Sequence, residues 1–290
     1  MDWIDALILG IVQGLAEYLP ISSSGHLAIF RTMLGVELPA DQTMMFDVMV
    51  HAATVLSTIV VLHKVFFRLC RSFFTFRRDN DFMTVCKILV SCLPIAIVGF
   101  FFKDTVESFF GDRMGVVGVC LIVTSLLLAF AFYSGFEKTI TTGRDGVPVK
   151  GVRLIPADKG RNISWFDALV IGIAQAFAVL PGLSRSGTTI AAGILLGDKR
   201  GQVAQFSFLM VIIPILGEAL LDLKDFLSEP AATQAATGAI DALPLAIGFI
   251  SSFIVGCCAC KWMISLVKRG KLLWFAIYCL LVGVLCLLWQ

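Results

Sequence analysis

Hydrophobic residues occur along this chain in six long stretches and two interrupted segments. The six stretches cover roughly 43–63, 88–102, 114–134, 205–221, 243–260 and 272–289. A bilayer core needs about 20 apolar residues per helix, so each stretch predicts a membrane-spanning helix. The two interrupted segments, 3–34 and 165–200, are broken by Pro, Gly, Ser and charged residues, which indicates a different structure there.

Basic residues alternate between the loops and predict the topology. Six Lys and Arg lie in 64–87, six in 137–161 and four in 261–271, against two in 103–113 and one in 222–241. Because Lys and Arg concentrate in cytoplasmic loops, the first three loops are expected inside. Following the spans outward from these loops puts both chain termini outside.

The two interrupted segments must each begin and end on one side of the membrane for this topology to close. Segment 3–34 begins and ends outside, and 165–200 begins and ends inside, so each is predicted as a re-entrant helix–turn–helix. Non-helical backbone at membrane depth persists only where it is buried in protein or lines a wet cavity. We therefore expect the two turns to meet near the middle of the membrane and shield each other.

The two interrupted segments also resemble each other. Without a gap, residues n and n + 162 are identical at eleven positions between 3 and 25, Gln13 and Gln175 among them. Each half then has one hairpin and three spanning helices, and because three is odd the second half is inverted. The predicted fold is an all-α polytopic membrane protein with a single membrane domain. It consists of inverted repeats at about 1–139 and 162–290, a cytoplasmic linker at 140–161, and a central site between the halves.

Composition excludes a soluble or disordered chain. The 290 residues are 58% hydrophobic and 15% charged, whereas soluble globular proteins carry roughly 25% charged residues. The net charge of +2 also argues against a nucleic-acid partner. The three histidines, His26, His51 and His63, have no metal-ligand spacing, which argues against a zinc site.

The first turn carries a carboxylate and a run of hydroxyls. Gln13 and Glu17 are four residues apart and share a helix face, Pro20 ends that helix, and Ser-Ser-Ser-Gly-His occupies 22–26. Further along, Asp47 and His51 share a face of the next helix, where they either line the cavity or lie near its outer end. An ionisable group inside a membrane costs at least a few kcal/mol, so Glu17 is treated as functional.

The second turn carries a cation among hydroxyls. Arg185 lies between two serines at the start of a new helix, within Pro-Gly-Leu-Ser-Arg-Ser-Gly-Thr-Thr at 181–189. N–H groups at a helix N-terminus, hydroxyls and a guanidinium favour an oxyanion, and phosphate fits because Arg pairs with it bidentately. Structural alternatives stay open: a plain Glu17–Arg185 pair, interhelical hydrogen bonds from the serines or Gln13, and a loop-capping role for His26.

The two motifs together resemble those of undecaprenyl-diphosphate phosphatase, the bacterial bacitracin-resistance family, and the resemblance covers essentially the whole chain. It implies an enzyme of the bacterial plasma (inner) membrane that removes the terminal phosphate of the C55 polyprenyl diphosphate. That reaction recycles the lipid carrier for cell-wall synthesis. The resemblance also implies an active site open to the outer face and a divalent cation. Where the family has Glu or Gln, this chain has Gln13, so Glu17 is the only carboxylate of its motif.

These residues can be given roles in phosphoryl transfer, which needs positioning and charge neutralisation. Arg185 is expected to hold the diphosphate together with neighbouring hydroxyl groups, namely Ser184, Ser186, Thr189, Ser22 and Ser24. Glu17, assisted by Gln13, is expected to hold Mg²⁺ or Ca²⁺. Ser23 is the candidate nucleophile, and His26 its base or the acid for the leaving group. The rival is direct attack by a water that His26 or Glu17 activates.

Three other functions fit parts of the pattern. A secondary transporter or flippase for an anionic or polyprenyl-phosphate lipid has the same inverted architecture, so only phosphate release separates it from an enzyme. A phosphatidic-acid-type phosphatase matches at 24–26 and at Ser184-Arg185, but Ala191 occupies the position of its second His. A non-catalytic scaffold would need neither Glu17 nor Arg185. A homodimer is left open.

Overall fold

A computed structural model of the chain describes residues 1–102, 114–142, 148–156, 158–217, 219–220 and 241–289. At 40–41, 136–142 and 148–154 the description covers the backbone only. The outward loop predicted at 103–113, nearly all of that at 222–241, and parts of the linker lie outside these residues.

The described part of the chain is built of eleven helices and one small hairpin. The helices are α1 (Trp3–Ala16), α2 (Ser23–Leu34), α3 (Ala40–Val61), α4 (His63–Phe74), α5 (Asn80–Phe101), α6 (Met114–Ser134), α7 (Trp165–Phe177), α8 (Arg185–Leu195), α9 (Arg200–Met210), α10 (Ala242–Lys268) and α11 (Leu273–Leu288). Between α6 and α7, the antiparallel strands β1 (Phe136–Thr142) and β2 (Pro148–Leu154) pair over their whole length. The helical class is confirmed, and the hairpin is an addition in a region predicted as a polar linker.

Five of the helical segments are long and apolar enough to cross a bilayer. They are Gln42–Val61, Asn80–Phe101, Met114–Ser134, Arg200–Gly217 and Ala242–Lys268. The sixth predicted span, 272–289, forms α11, whose 16 residues fall short of the about 20 that a straight crossing requires. Large apolar side chains such as Phe130 and Leu281 remain exposed on the outer surface, as a lipid-facing surface requires. The chain is a multi-pass membrane protein.

The two interrupted segments fold as short helix pairs. α1 packs on α2 and α7 packs on α8. Both pairs begin with a capping box, formed by Asp2 with Asp5 and by Ser164 with Asp167, which satisfies N–H groups that a helix start leaves free. Both segments therefore form a helix–turn–helix, while the re-entrant path through a membrane stays a prediction.

Glycines let each first helix approach a long helix of the other half. A Cβ on Gly10 would lie 2.5 Å from Gly248 O of α10, and one on Gly172 would lie 2.3 Å from Ser91 O of α5. Small residues allow such backbone approach in membrane helices. Gly10 and Gly172 are also partners in the n and n + 162 alignment, so the two pairs use the same position for close packing.

The two turns are in contact. Ser186 Oγ donates to Leu19 O at 3.2 Å, and a Cβ on Gly187 would lie 3.1 Å from Pro20 Cβ. The turn residues predicted to meet therefore do so. Ser22, Ser184 and Ser186 are buried at the two turns, whereas Arg185 is only partly buried.

Candidate active site

Glu17 is a buried carboxylate at the end of α1, and two neighbouring side chains donate to it. Gln13 Nε2 and Ser23 Oγ donate to the same oxygen, Glu17 Oε2, at 3.1 and 2.9 Å. Only 9% of Glu17 is exposed, and a buried carboxylate requires donors or cations around it. The structure thus brings the predicted Gln13–Glu17 pair and the predicted nucleophile into one cluster.

His51 on α3 is a further neighbour of this carboxylate. Its Nε2 lies 3.7 Å from Glu17 Oε2, and its Nδ1 lies 2.7 Å from Asp47 O. Because a carbonyl oxygen only accepts, Nδ1 donates to it, and Nε2 faces the carboxylate. The Asp47 side chain instead forms an ion pair with Arg31. Of the two residues on this helix face, only His51 reaches the cluster.

Arg185 is the first residue of α8 and lies across a cavity from Glu17. Both side chains line this cavity, yet they are not joined by a direct ion pair. The preceding residue, Ser184, is held by its N–H, which donates to Thr124 Oγ1 of α6 at 3.0 Å. The arrangement leaves a guanidinium and a carboxylate facing the same space. A simple structural pair is therefore not what the geometry forms.

Two serines predicted as phosphate ligands serve as helix N-caps. Ser22 Oγ accepts from Gly25 N at 3.3 Å, and Ser184 Oγ accepts from Gly187 N at 3.1 Å. Such caps satisfy a donor that the helix start leaves free. Ser24 Oγ lies 3.4 Å from Ser22 Oγ. In this geometry the three hydroxyls stabilise the turns.

Two further hydroxyls predicted as phosphate ligands donate to backbone carbonyls. Ser186 donates to Leu19 O, and Thr189 Oγ1 donates to Arg185 O at 3.0 Å. Both residues line the cavity, and their role as phosphate ligands stays a prediction. Their hydroxyl hydrogens are engaged, and donation to an incoming phosphate would require these hydroxyls to rotate.

His26 lies away from the group it was predicted to assist. Its Nδ1 is 2.8 Å from Ser22 O and its Nε2 is 2.8 Å from Tyr278 OH, and its ring stacks on that tyrosine. The expected contact between His26 and Ser23 is not formed. Glu17 is the acceptor for the Ser23 hydroxyl, because the start of α2 points position 26 toward α11 and position 23 toward α1.

The cavity between the turns is small and is completed by α9. Its lining residues are Glu17, Tyr18, Arg185, Ser186, Thr189, Ser207, Phe208 and Val211. The volume of about 10 Å³ is close to what one water needs, so a diphosphate enters only when lining side chains move apart. No local motif marks Ser207 as a site residue, because it lies inside an apolar run.

Oxygen groups at this site suit a hard divalent cation. Gln13 Oε1 is buried without a hydrogen-bond partner, while Nε2 of the same amide donates to the Glu17 carboxylate. Mg²⁺ commonly uses one or two carboxylates and takes its remaining ligands from water and substrate phosphates. Among the described residues no group of three or more His, Cys, Asp or Glu side chains is arranged for a metal. The residues therefore fit a weak site that substrate completes.

Comparison with known proteins gives one consistent result. Residues 6–285 match a family described as bacitracin resistance protein BacA. The chain is 50% identical over 284 residues to an undecaprenyl-diphosphatase of Bacteroides fragilis strain YCH46, covering 98% of this chain and 97% of the relative. It is 46% identical over 290 residues to an undecaprenyl-diphosphatase of Bacteroides thetaiotaomicron, covering 100% of both chains. The similarity extends over the whole chain, including both turns.

Proposed function

The chain belongs to the bacitracin resistance protein BacA family, and on this basis we propose that it is an undecaprenyl-diphosphatase. It hydrolyses undecaprenyl diphosphate to undecaprenyl phosphate and inorganic phosphate. This recycles the lipid carrier for cell-wall synthesis and confers resistance to bacitracin. The observation that carries the proposal is one cavity in which Glu17, hydrogen bonded to Ser23, faces Arg185.

Ser23 is the proposed nucleophile, and Glu17 its base. The 2.9 Å hydrogen bond from Ser23 Oγ to Glu17 Oε2 is the arrangement that activates a hydroxyl. Ser23 Oγ bonds to the terminal phosphorus, its proton passes to Glu17, and the bond to the bridging oxygen breaks. Undecaprenyl phosphate leaves, and water then hydrolyses the phosphoserine to inorganic phosphate.

Arg185 is proposed to neutralise the transferring phosphoryl group. Phosphoryl transfer depends mainly on positioning and electrostatic stabilisation, and a guanidinium that lines a small cavity is screened less than one in bulk water. Ser186 and Thr189 line the same space and are proposed to help hold the diphosphate. Ser22, Ser24 and Ser184 shape the turns that present these groups.

A divalent cation, Mg²⁺ or Ca²⁺, is proposed to bind at Glu17 and Gln13. The support is that Gln13 Oε1 is buried without a partner, on the same amide whose Nε2 donates to the carboxylate. When bound, such an ion would neutralise charge on the diphosphate. Activity of the purified protein should then fall on addition of a chelator and return with the metal.

Trapping the covalent intermediate tests the nucleophile. With terminally labelled substrate and a rapid acid quench, the wild-type protein should carry label on Ser23, and Ser23→Ala should carry none. Direct attack by water is the rival. Full single-turnover activity of Ser23→Ala would establish the rival and overturn the serine mechanism.

Phosphate release separates the enzyme from a transporter or flippase. Purified protein in detergent has no compartments to transport between, so release of inorganic phosphate from undecaprenyl diphosphate reports hydrolysis alone. Release that disappears in Arg185→Ala supports the phosphatase. Absence of release from the wild-type protein with metal present would contradict it.

The membrane arrangement is proposed as a single domain of two inverted repeats, about 1–139 and 162–290, in the bacterial plasma membrane. Support comes from the Gly10 and Gly172 contacts, which lie at aligned positions and join each hairpin to the other half. Both termini and the active-site opening are proposed on the outer face, with the linker 140–161 in the cytoplasm. Reporter enzymes fused to either terminus test this, since a reporter active only outside should be active at both ends.

A further inference from the structure

Ser207 on α9 carries a buried hydroxyl that has no partner. The residue is 4% exposed, and its Oγ makes no hydrogen bond in the structure. Burial of an unpaired hydroxyl costs free energy. A hydroxyl placed in this way therefore calls for a ligand that satisfies it.

Other buried serines in the long helices behave differently. Ser91 of α5 donates to Ile88 O at 2.7 Å, and Ser251 of α10 donates to Gly248 O at 3.1 Å. Bonding to a carbonyl one turn back is the usual solution for serine in a helix. Ser207 does not use it, so its hydroxyl hydrogen remains available for another acceptor.

The cavity between Glu17 and Arg185 is the place where such an acceptor would bind. Four hydroxyl-bearing residues line it. Tyr18 donates to Thr54 O, and Ser186 and Thr189 donate to carbonyls as described above. Of these four, Ser207 alone has a hydroxyl without a hydrogen bond.

We propose that Ser207 is a phosphate-binding residue of this site, whose Oγ–H donates to a non-bridging oxygen of the substrate diphosphate. This makes α9 a third element of the anion site, beside the first turn and α8. The identity of the substrate in this inference is taken from the proposed function. Its chemical basis is general, because a phosphate oxygen accepts from a buried neutral donor placed beside a guanidinium.

Kinetics of Ser207→Ala and Ser207→Cys test the inference. A hydrogen bond to a charged group is worth roughly 10- to 100-fold, so both variants should lose about that factor in kcat/KM for undecaprenyl diphosphate. The cysteine variant matters because it nearly keeps the shape of serine while its thiol is a weak donor. Ser91→Ala, which removes a buried serine that bonds within its own helix, should retain wild-type constants.

Thermal unfolding separates a binding role from a structural one. Since Ser207 makes no hydrogen bond in the folded protein, Ser207→Ala should unfold at or above the wild-type temperature. Lost activity with unchanged stability supports the inference. Wild-type kinetics in Ser207→Ala, full activity in Ser207→Cys, or a lowered unfolding temperature that accounts for the lost activity would each overturn it.

A binding measurement keeps this test distinct from that of the proposed function. If the wild-type protein releases no phosphate, the proposed function fails, and binding of labelled inorganic diphosphate is compared instead. Weaker binding by Ser207→Ala than by the wild-type protein and Ser91→Ala still supports an anion-binding hydroxyl. Equal binding by all three proteins refutes it.

Discussion

The two turns share a backbone plan and differ in chemistry. Each begins a new helix with a serine N-cap, Ser22 or Ser184, that accepts from a glycine N–H three residues later. The next residue is Ser23 in the first turn and Arg185 in the second. The residue that follows the cap is thus the proposed nucleophile in the first turn and the cation in the second.

The helices that lead into the turns differ in the same way. Gln13 holds the Glu17 carboxylate, whereas the aligned Gln175 is 1% exposed and neither its Oε1 nor its Nε2 has a partner. Val179 stands where the first segment has Glu17. The comparison indicates that caps and glycines maintain the same scaffold in both segments. The asymmetry of the site comes from two aligned positions, which are Glu17 and Ser23 in the first segment and Val179 and Arg185 in the second.

Removing the cation should have the largest effect. Arg185→Ala should lower kcat/KM for undecaprenyl diphosphate by at least about 10³-fold, the scale on which an arginine supports phosphoryl transfer. Arg269→Ala, at an exposed arginine directly after α10, serves as the control and should retain most activity. Substantial turnover in Arg185→Ala would mean that the second turn only supports the first.

Neutralising the Glu17 carboxylate should have the second-largest effect on activity. Glu17→Gln keeps the shape but cannot take the Ser23 proton, so kcat should fall by roughly 10²- to 10⁴-fold. The exposed Glu37→Gln is the matched control. The single-turnover rate is the measurement, and an unchanged rate would remove Glu17 from the chemical step.

The aligned glutamines offer a direct comparison of the two segments. Gln13→Leu should lower activity by about 10-fold, because Glu17 loses a donor. Gln175→Leu should leave activity near wild type and should not lower the unfolding temperature, since its amide bonds to nothing. Equal losses in the two variants would contradict the asymmetry inferred here.

The smallest expected effect is a dependence of stability on pH, which comes from Asp198 at the end of the second helix pair. Burial, and then the neighbouring Asp167 carboxylate, raise the pKa of Asp198 from 3.8 to about 6. The unfolded chain thus releases this proton at lower pH than the folded protein, so stability is lost as pH rises from about 4 to 6 and stays lost above it. The unfolding temperature should fall by a few degrees between pH 5 and 7.5.

Two asparagine variants check the origin of that pH dependence. Asp198→Asn cannot ionise and should show a smaller fall of the unfolding temperature over the same range. Asp158→Asn, at an exposed carboxylate of the linker, should behave as wild type. An unchanged pH profile in Asp198→Asn would assign the effect to another group.

Local sequence patterns predict the spanning helices and the shared helix faces, but they do not predict contacts between distant residues. Apolar run length predicts α3, α5, α6 and α10 because a span must match the bilayer thickness. The spacing of Gln13 and Glu17 predicts their shared face because helical geometry is local. The contact of His26 with Tyr278 joins residues 252 positions apart, and no periodicity in one segment encodes such a pair.

The sequence alone determined the membrane class, the two broken segments and the residue types that gather at them, because these follow from local hydrophobicity and helix-breaking residues. Only the tertiary structure decided which side chains meet. It put Glu17 rather than His26 on Ser23, brought His51 to the carboxylate and placed Ser207 in the cavity. The reason is physical: burial and hydrogen-bond partners depend on which helices pack together, and close packing at glycines such as Gly10 and Gly172 sets that arrangement.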